Sequence, residues 1–194
     1  YSAYVYVSEN YGQEWRRIDD GLPDGWSVNV VIEHHRAPNL LFVGNEIGIY
    51  VSVDRGESWT RMKNNFPTVP VDDLVIHPRE NDLIVGTHGR SAWILEDLAP
   101  LEHLSQEVMA STAHMFPVRK TTMWAQKGDW PFYGASMYSA PTPPRATRLR
   151  YYIRDEVDED AQFRIVIADA EGNEVRTFDG PYERGINEIL WDWR

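Results

Sequence analysis

The side chains best suited to chemistry gather in short, loop-like stretches. Glu46 stands in "GNEIG", Asp72 and Asp73 in "VPVDDL", and His88 and Arg90 in "THGRS". Carboxylates of this kind could act as the acid and the base or nucleophile of a glycosidase, which needs two carboxyl groups about 5–9.5 Å apart. His88 and Arg90 are candidate ligand-binding residues, and Trp26 in "PDGWS" offers a flat face for a sugar ring. Each also has a plain structural reading. Asp72 and Asp73 precede an apolar run and can simply close a turn. Arg90 can pair with an acid of a neighbouring unit, Glu46 being the natural partner.

Metal chemistry finds less support, and neither a cofactor nor a metal site is expected. His34 and His35 are adjacent, so on a strand they point to opposite faces and cannot readily share an ion. His77 precedes Pro78 in a turn. The acidic run "DEVDED", residues 155–160, lacks the alternating oxygen ligands and the glycine of a calcium loop, and reads as a solvated hairpin tip. No phosphate-binding loop, HExxH or GxSxG occurs.

The elements that must position these residues repeat. "SENYGQEW" begins at Ser8 and "SVDRGESW" at Ser52, 44 positions later, and both read S-x-[DN]-x-G-x-x-W. The flanks recur too: residues 28–54 match residues 71–97, placing Tyr50 on Trp93 and Asp54 on Asp97. After Asp97 the third copy lapses. Each unit has short runs rich in β-branched and aromatic residues separated by turn signals; in the complete unit they cover residues 28–32, 40–43, 49–53 and 59–62. Links this short make neighbouring strands antiparallel, and a four-stranded meander recurring at this interval is a propeller blade. The octapeptide then joins the third strand to the fourth. Gly12 and Gly56 supply positive φ, Asn10 and Asp54 accept from turn amides, and Ser8 and Ser52 assist. Trp15 and Trp59 are expected to pack between blades.

Those two octapeptides resemble the Asp-box, or bacterial neuraminidase repeat, of sialidases, xyloglucanases and sortilin-type propellers. "IHPRENDLIVGTHGRSAWILEDLAPL" resembles bacterial sortilin-like, "glycosyl hydrolase, BNR repeat" proteins. The resemblance implies an exported protein, secreted or periplasmic, and a structural role for the box, whose Asp lies at the propeller rim. It also implies that ligands gather at the opposite end, around the channel. Meander topology puts the loops bearing Glu46, His88 and Arg90, and the links bearing Trp26, Asp72 and Asp73, at that end. A sialidase would further need an arginine cluster and a Tyr–Glu pair, and no such set can be assigned.

Beyond Leu98, "PLEHLSQEVMASTAH" suggests a short helix starting near Leu101 or Ser105, and residues 116–148 read as a Pro- and aromatic-rich connector. Strands resume at Arg148, with a hairpin turning at Glu171–Gly172–Asn173 and with Ile189, Trp191 and Trp193 alternating onto one face. This part resembles the Ig-like module of flagellar hook-capping proteins. The expected fold is therefore all-β: propeller blades over residues 1–104, helix and connector over 105–147, and part of an Ig-like sandwich over 148–194. The chain opens and stops inside strand patterns, which reads as a piece of a longer protein; the expected partners include the remaining blades of that parent.

Composition narrows the functions. Nineteen Lys and Arg against thirty Asp and Glu leave −11, which disfavours nucleic acid as a partner. No apolar run reaches the roughly 20 residues of a membrane span. The absence of Cys excludes disulfides and thiolate chemistry. The leading expectation is a binding or scaffold segment for a protein, peptide or glycan. The alternatives are one wall of a glycoside hydrolase cleft, and an assembly part in which separate chains complete one propeller.

Overall fold

A computed structural model of the chain describes residues 2–123, 144–156 and 163–193. The protein is all-β and divides into two compact units, residues 1–109 and 110–194.

In the first unit, alternating β-branched and aromatic residues build β1 (Tyr6–Val7), β2 (Arg16–Arg17), β3 (Val28–Glu33), β4 (Leu41–Asn45), β5 (Gly48–Ser52), β6 (Thr60–Met62), β7 (Val71–Ile76), β8 (Leu83–Thr87) and β9 (Ala92–Leu95). They form a two-stranded pair β1–β2, a four-stranded meander β3–β4–β5–β6 and a three-stranded meander β7–β8–β9, all antiparallel. The two meanders share a β-bulge at the same place in their first strands, between Val28 and Val30 and between Val71 and Asp73. They are successive copies of one blade.

The blades bury apolar rows against each other. Val5 and Ile18 of the first repeat pack on Leu41, Val43, Tyr50 and Trp59 of the second. The other face of the second repeat, with Leu40, Phe42 and Ile49, packs on Val71, Leu74, Leu83 and Val85 of the third. This explains why β4 is buried along its whole length: both its faces meet another sheet. The approach is close. A Cβ at Gly44 would stand 2.5 Å from Val71 Cγ1 and 2.8 Å from Val30 Cγ1, so only glycine fits there. Asn29 Nδ2 also donates to Val71 O at 3.1 Å, joining the innermost strands of the two blades.

Two short helices follow, α1 (Ala99–Glu102) and α2 (Gln106–Ala110), where the pattern suggested one. Residues 103–105 interrupt them. The second unit contains β10 (Ala113–Met115), β11 (Thr147–Ile153), β12 (Ile165–Ala168), β13 (Glu174–Phe178) and β14 (Gly185–Trp191). Sheets β10–β11–β14 and β12–β13 share a core of Leu149, Tyr151, Ile153 and Ile165, closed by Phe163, Phe178, Ile189 and Trp191. β10 lies inside the stretch read as helix and connector; three residues are too short for a periodic signal. The β12–β13 turn is closed by Asp169 Oδ1, which accepts from the amides of Glu171 and Asn173, with Gly172 at φ +86°. Trp193 falls beyond the end of β14, has φ +62° and donates to Thr147 Oγ1 at 2.8 Å, so it does not continue the alternation of Ile189 and Trp191. Most of the aromatic connector and residues 157–160 of the acidic run lie outside the described residues.

Candidate functional site

Antiparallel pairing sorts the loops of the first unit between two ends. The octapeptide loops share one end with the β3–β4 and β7–β8 turns. The β4–β5 and β8–β9 turns and the links β2–β3 and β6–β7 share the other.

At the first end the polar groups serve the backbone. Ser52 Oγ donates to Asp54 Oδ1 at 2.6 Å and accepts from Gly56 N at 2.8 Å, while Asp54 Oδ1 accepts from Ser58 N at 2.9 Å. The earlier copy repeats this geometry: Ser8 Oγ donates to Asn10 Oδ1, Gly12 N donates to Ser8 Oγ, and Glu14 N donates to Asn10 Oδ1. Gly12 and Gly56 sit at φ +84° and +83°, preceded by Tyr11 and Arg55 also at positive φ. At Gly56 a Cβ would also stand 2.8 Å from Ile18 Cδ1. Burial pushes the Asp54 carboxyl up, but hydrogen bonds from Ser52 and Ser58 hold it below the ordinary value.

A prediction follows from this clasp. Asp54→Ala should destabilise the unit by about 0.5–2 kcal/mol at neutral pH, the range for removing a side-chain acceptor of turn or cap amides. Because the folded-state pKa is lowered, the wild-type advantage is present above the unfolded value and fades as pH falls below about 3.8. Denaturant titrations of both proteins at pH 7 and pH 3 measure it. An undiminished gap at pH 3 would contradict the assignment.

The two box tryptophans differ, against the expectation that both pack between blades. Trp59 is buried, and its Nε1 donates to Ile18 O at 2.6 Å on the preceding repeat. Trp15 is 64% exposed, and its Nε1 turns back to Gly12 O at 3.2 Å. The physical reason is positional: a repeat upstream covers Trp59, and no repeat within these residues lies upstream of Trp15.

Sequence reading passed over a buried network at this same end. His34 Nδ1 faces the amides of Arg36 and Ala37 at 3.3 and 3.2 Å, which leaves the ring proton on Nε2. That nitrogen meets Asn81 Oδ1 at 2.8 Å and Glu102 Oε1 at 3.0 Å. Glu102 Oε1 also accepts from Asn81 Nδ2 and from Arg36 Nη2, both at 2.8 Å. The network joins the second blade, the third blade and α1. One signal was available: His77 holds the same place in the next repeat, and its Nδ1 accepts from Glu80 N at 3.0 Å. The histidine recurs because it caps the turn.

At the other end several polar side chains are exposed, although Asn45 beside the β4–β5 turn is fully buried and accepts from Ile47 N at 2.9 Å. His88 Nδ1 lies 3.4 Å from Asp72 Oδ2, with side chains 81% and 55% exposed. Trp26 is 41% exposed on the β2–β3 link, and Glu46 and Arg90 are exposed on their turns. Glu46 and Arg90 form no ion pair; the Arg90 carbonyl instead accepts from Trp93 Nε1 at 3.0 Å. Asp72 and Asp73 lie within β7 and not in a turn ahead of it; Asp73, beside the bulge, accepts from Leu74 N at 2.9 Å through Oδ1. A further residue belongs here. Arg61 Nη2 donates to Ile47 O at 2.7 Å and Thr68 Oγ1 at 3.0 Å, tying the β4–β5 turn to the β6–β7 link. The structure thus gathers Asp72 and His88 and leaves Asp73, Trp26, Glu46 and Arg90 exposed at this end. Among the described residues no cluster of three or more His, Asp or Glu is arranged to hold a metal ion, and no helix is long and apolar enough to cross a membrane.

Comparison with known proteins places this architecture. The sequence profile of the family described as Sortilin-Vps10 (sortilin, neurotensin receptor 3) matches residues 3–173, which takes in every blade, β11 and β12. No curated protein and no solved structure matches the chain. With its repeated box, its blades and a match covering most of its length, the chain belongs to the Sortilin-Vps10 family.

Proposed function

We propose that this protein is a binding or scaffold module, with residues 1–104 acting as propeller blades and the end opposite the Asp-boxes receiving a protein, peptide or glycan. One contrast carries the reading. At the Asp-box end Ser8, Asn10, Ser52 and Asp54 are consumed in clasps and His34, Asn81 and Glu102 in their network, whereas Trp26, Glu46, Arg90 and the Asp72–His88 pair stand exposed at the other. Sites of this type mix an aromatic platform with a few oriented polar groups. The propeller family itself points to binding, and its domains are typically extracellular or luminal. We place the protein, by the bacterial resemblance of its box-bearing repeats, among exported bacterial proteins. Residues 105–147 would then be helix and connector, and 148–194 an Ig-like sandwich of the hook-capping type.

The experiment is a nuclear magnetic resonance titration of the labelled protein with panels of short peptides and oligosaccharides. A true ligand should shift the Trp26 indole and the His88 and Asp72 amides, and Trp26→Ala should weaken it about tenfold or more, as for loss of an aromatic anchor. Shifts confined to the Asp-box loops would overturn the proposal. The enzymatic alternative is separated in the same samples. Turnover of a chromogenic glycoside that vanishes in Glu46→Gln and Asp73→Asn would make this end a cleft wall of a hydrolase.

A further inference from the structure

An arginine recurs at the same distance behind each box tryptophan. Arg17 and Arg61 lie two residues after Trp15 and Trp59, and strand pairing sets them opposite Tyr6 and Tyr50. Each then reaches a backbone carbonyl at the end of its blade away from the box. Arg61 Nη2 donates to Ile47 O at 2.7 Å and Arg17 Nη2 to Ala3 O at 3.5 Å, the two acceptors being 44 positions apart like the boxes themselves. Each guanidinium also lies against the residue after its acceptor. Arg17 is 4.8 Å over the Tyr4 ring, and at Gly48 an added Cβ would stand 3.4 Å from Arg61 Nε. The repeat therefore builds the same strut into both blades.

The two struts differ in what holds their other side. Arg17 meets the buried carboxylate of Asp19 through Nε and Nη2, both at 2.5 Å, where the β2–β3 link begins. In the second repeat Lys63 stands in place of that acid, and Arg61 Nη2 donates instead to Thr68 Oγ1 at 3.0 Å, on the β6–β7 link. The bonding continues in both directions. Ile47 N donates to Asn45 Oδ1 at 2.9 Å, which closes the turn that carries Glu46. On the other side His88 N donates to Pro70 O at 2.9 Å on the same link, and His88 Nδ1 lies 3.4 Å from Asp72 Oδ2. Glu46 on the second blade and His88 and Asp72 on the third thus belong to one frame, and Arg61 makes the bonds that cross from turn to link. A planar guanidinium suits this task, because its fork is pre-organised and loses less freedom for each bond formed.

We infer that Arg61 is the positioning residue of the channel end, holding Glu46 at a set separation from His88 and Asp72 so that a ligand spanning the two blades meets both in register. Its bearing on ligands rests on the reading of this end as the binding end, whereas the frame stands on the contacts alone. A path of contacts becomes a coupling only when a change at one end is felt at the other. That can be measured with no ligand present.

Amide hydrogen exchange on the 194-residue protein reads both sides of the frame, at Ile47 N and His88 N, with Gly56 N and Ser58 N of the Asp-box clasp as references. Arg61→Gln should speed exchange about tenfold or more at Ile47 and His88, as for loss of a hydrogen bond from a charged donor. Gly56 and Ser58 should stay within about twofold, being distant and sharing no partner with it. Arg61→Lys should recover part of the protection. Thr68→Val, nearly isosteric and at an exposed site, should speed His88 but not Ile47. Combined with Arg61→Gln it should add nothing at His88, since both changes break the same bond. Equal acceleration at all four amides would reduce Arg61 to a general stabiliser and overturn the inference. So would an unchanged His88 in Arg61→Gln, or additive effects of the two changes. A protein that shows the expected exchange pattern yet binds none of the peptides or oligosaccharides keeps the frame and loses the functional reading.

Discussion

Replacing Trp59 with alanine is expected to lower the stability of the propeller unit by about 3–5 kcal/mol, the range for deleting a large buried aromatic side chain. The ring fills the space between the first and second repeats, among Val5, Ile18, Leu41, Val43 and Tyr50. Its loss also leaves Ile18 O without the indole donor that now reaches it at 2.6 Å. The companion change Trp15→Ala removes the same residue type from the same place in the motif, yet it should cost less than about 1 kcal/mol because the ring is already 64% exposed. Urea denaturation followed by far-ultraviolet circular dichroism compares the two. Equal losses would mean that the motif, and not the neighbouring blade, sets the contribution of its tryptophan.

The second large effect belongs to Glu102. Glu102→Ala should destabilise the unit by about 2–4 kcal/mol, because His34 and Asn81 each lose an acceptor in a largely buried site. Arg36 adds little to that figure, since its side chain is 53% exposed and solvent competes for it. Burial raises the Glu102 pKa, but hydrogen bonds from Arg36 and Asn81, with the nearby His34, lower it further, so the net direction is downward. A carboxyl lowered in the folded state contributes stability above its unfolded value and loses it as pH falls through the folded one. The contribution should therefore be intact at pH 7 and fade below about 4.5. His35 stacks on His34 with ring centroids 4.6 Å apart. Glu102→Gln keeps one acceptor oxygen and should recover part of the loss at pH 7. Stability curves for the three proteins between pH 3 and pH 7 would show it, and a wild type as insensitive to acid as Glu102→Ala would refute the network's role.

The two tryptophans and the two histidines show how far linear order carries. Gly56 and Gly12 could be assigned a left-handed turn from their place between Asx and Trp, because turn chemistry is local and each residue type has its own backbone preference. Blade strands were legible because β-branched runs separated by turn residues repeat at a fixed interval, and the observed strands agree with that reading within about two residues. The candidate end was legible too, since antiparallel hairpins alternate their turns. Glu102 was not: it lies 68 residues from His34, on a helix that the repeat does not predict, and nothing in "PLEHL" marks one carboxylate as the keystone of two blades. Glu46 and Arg90, which pattern alone suggested as a pair, remain apart.

What the sequence by itself determined was the local code: clasp, strand and turn, blade after blade, and hence membership of an all-β propeller family. What only the tertiary structure decided was which identical-looking residues are covered. Burial depends on whether another sheet lies across a face, and that is a property of neighbours in space. Trp59 has such a neighbour and Trp15 does not, although the same eight-residue pattern encodes both.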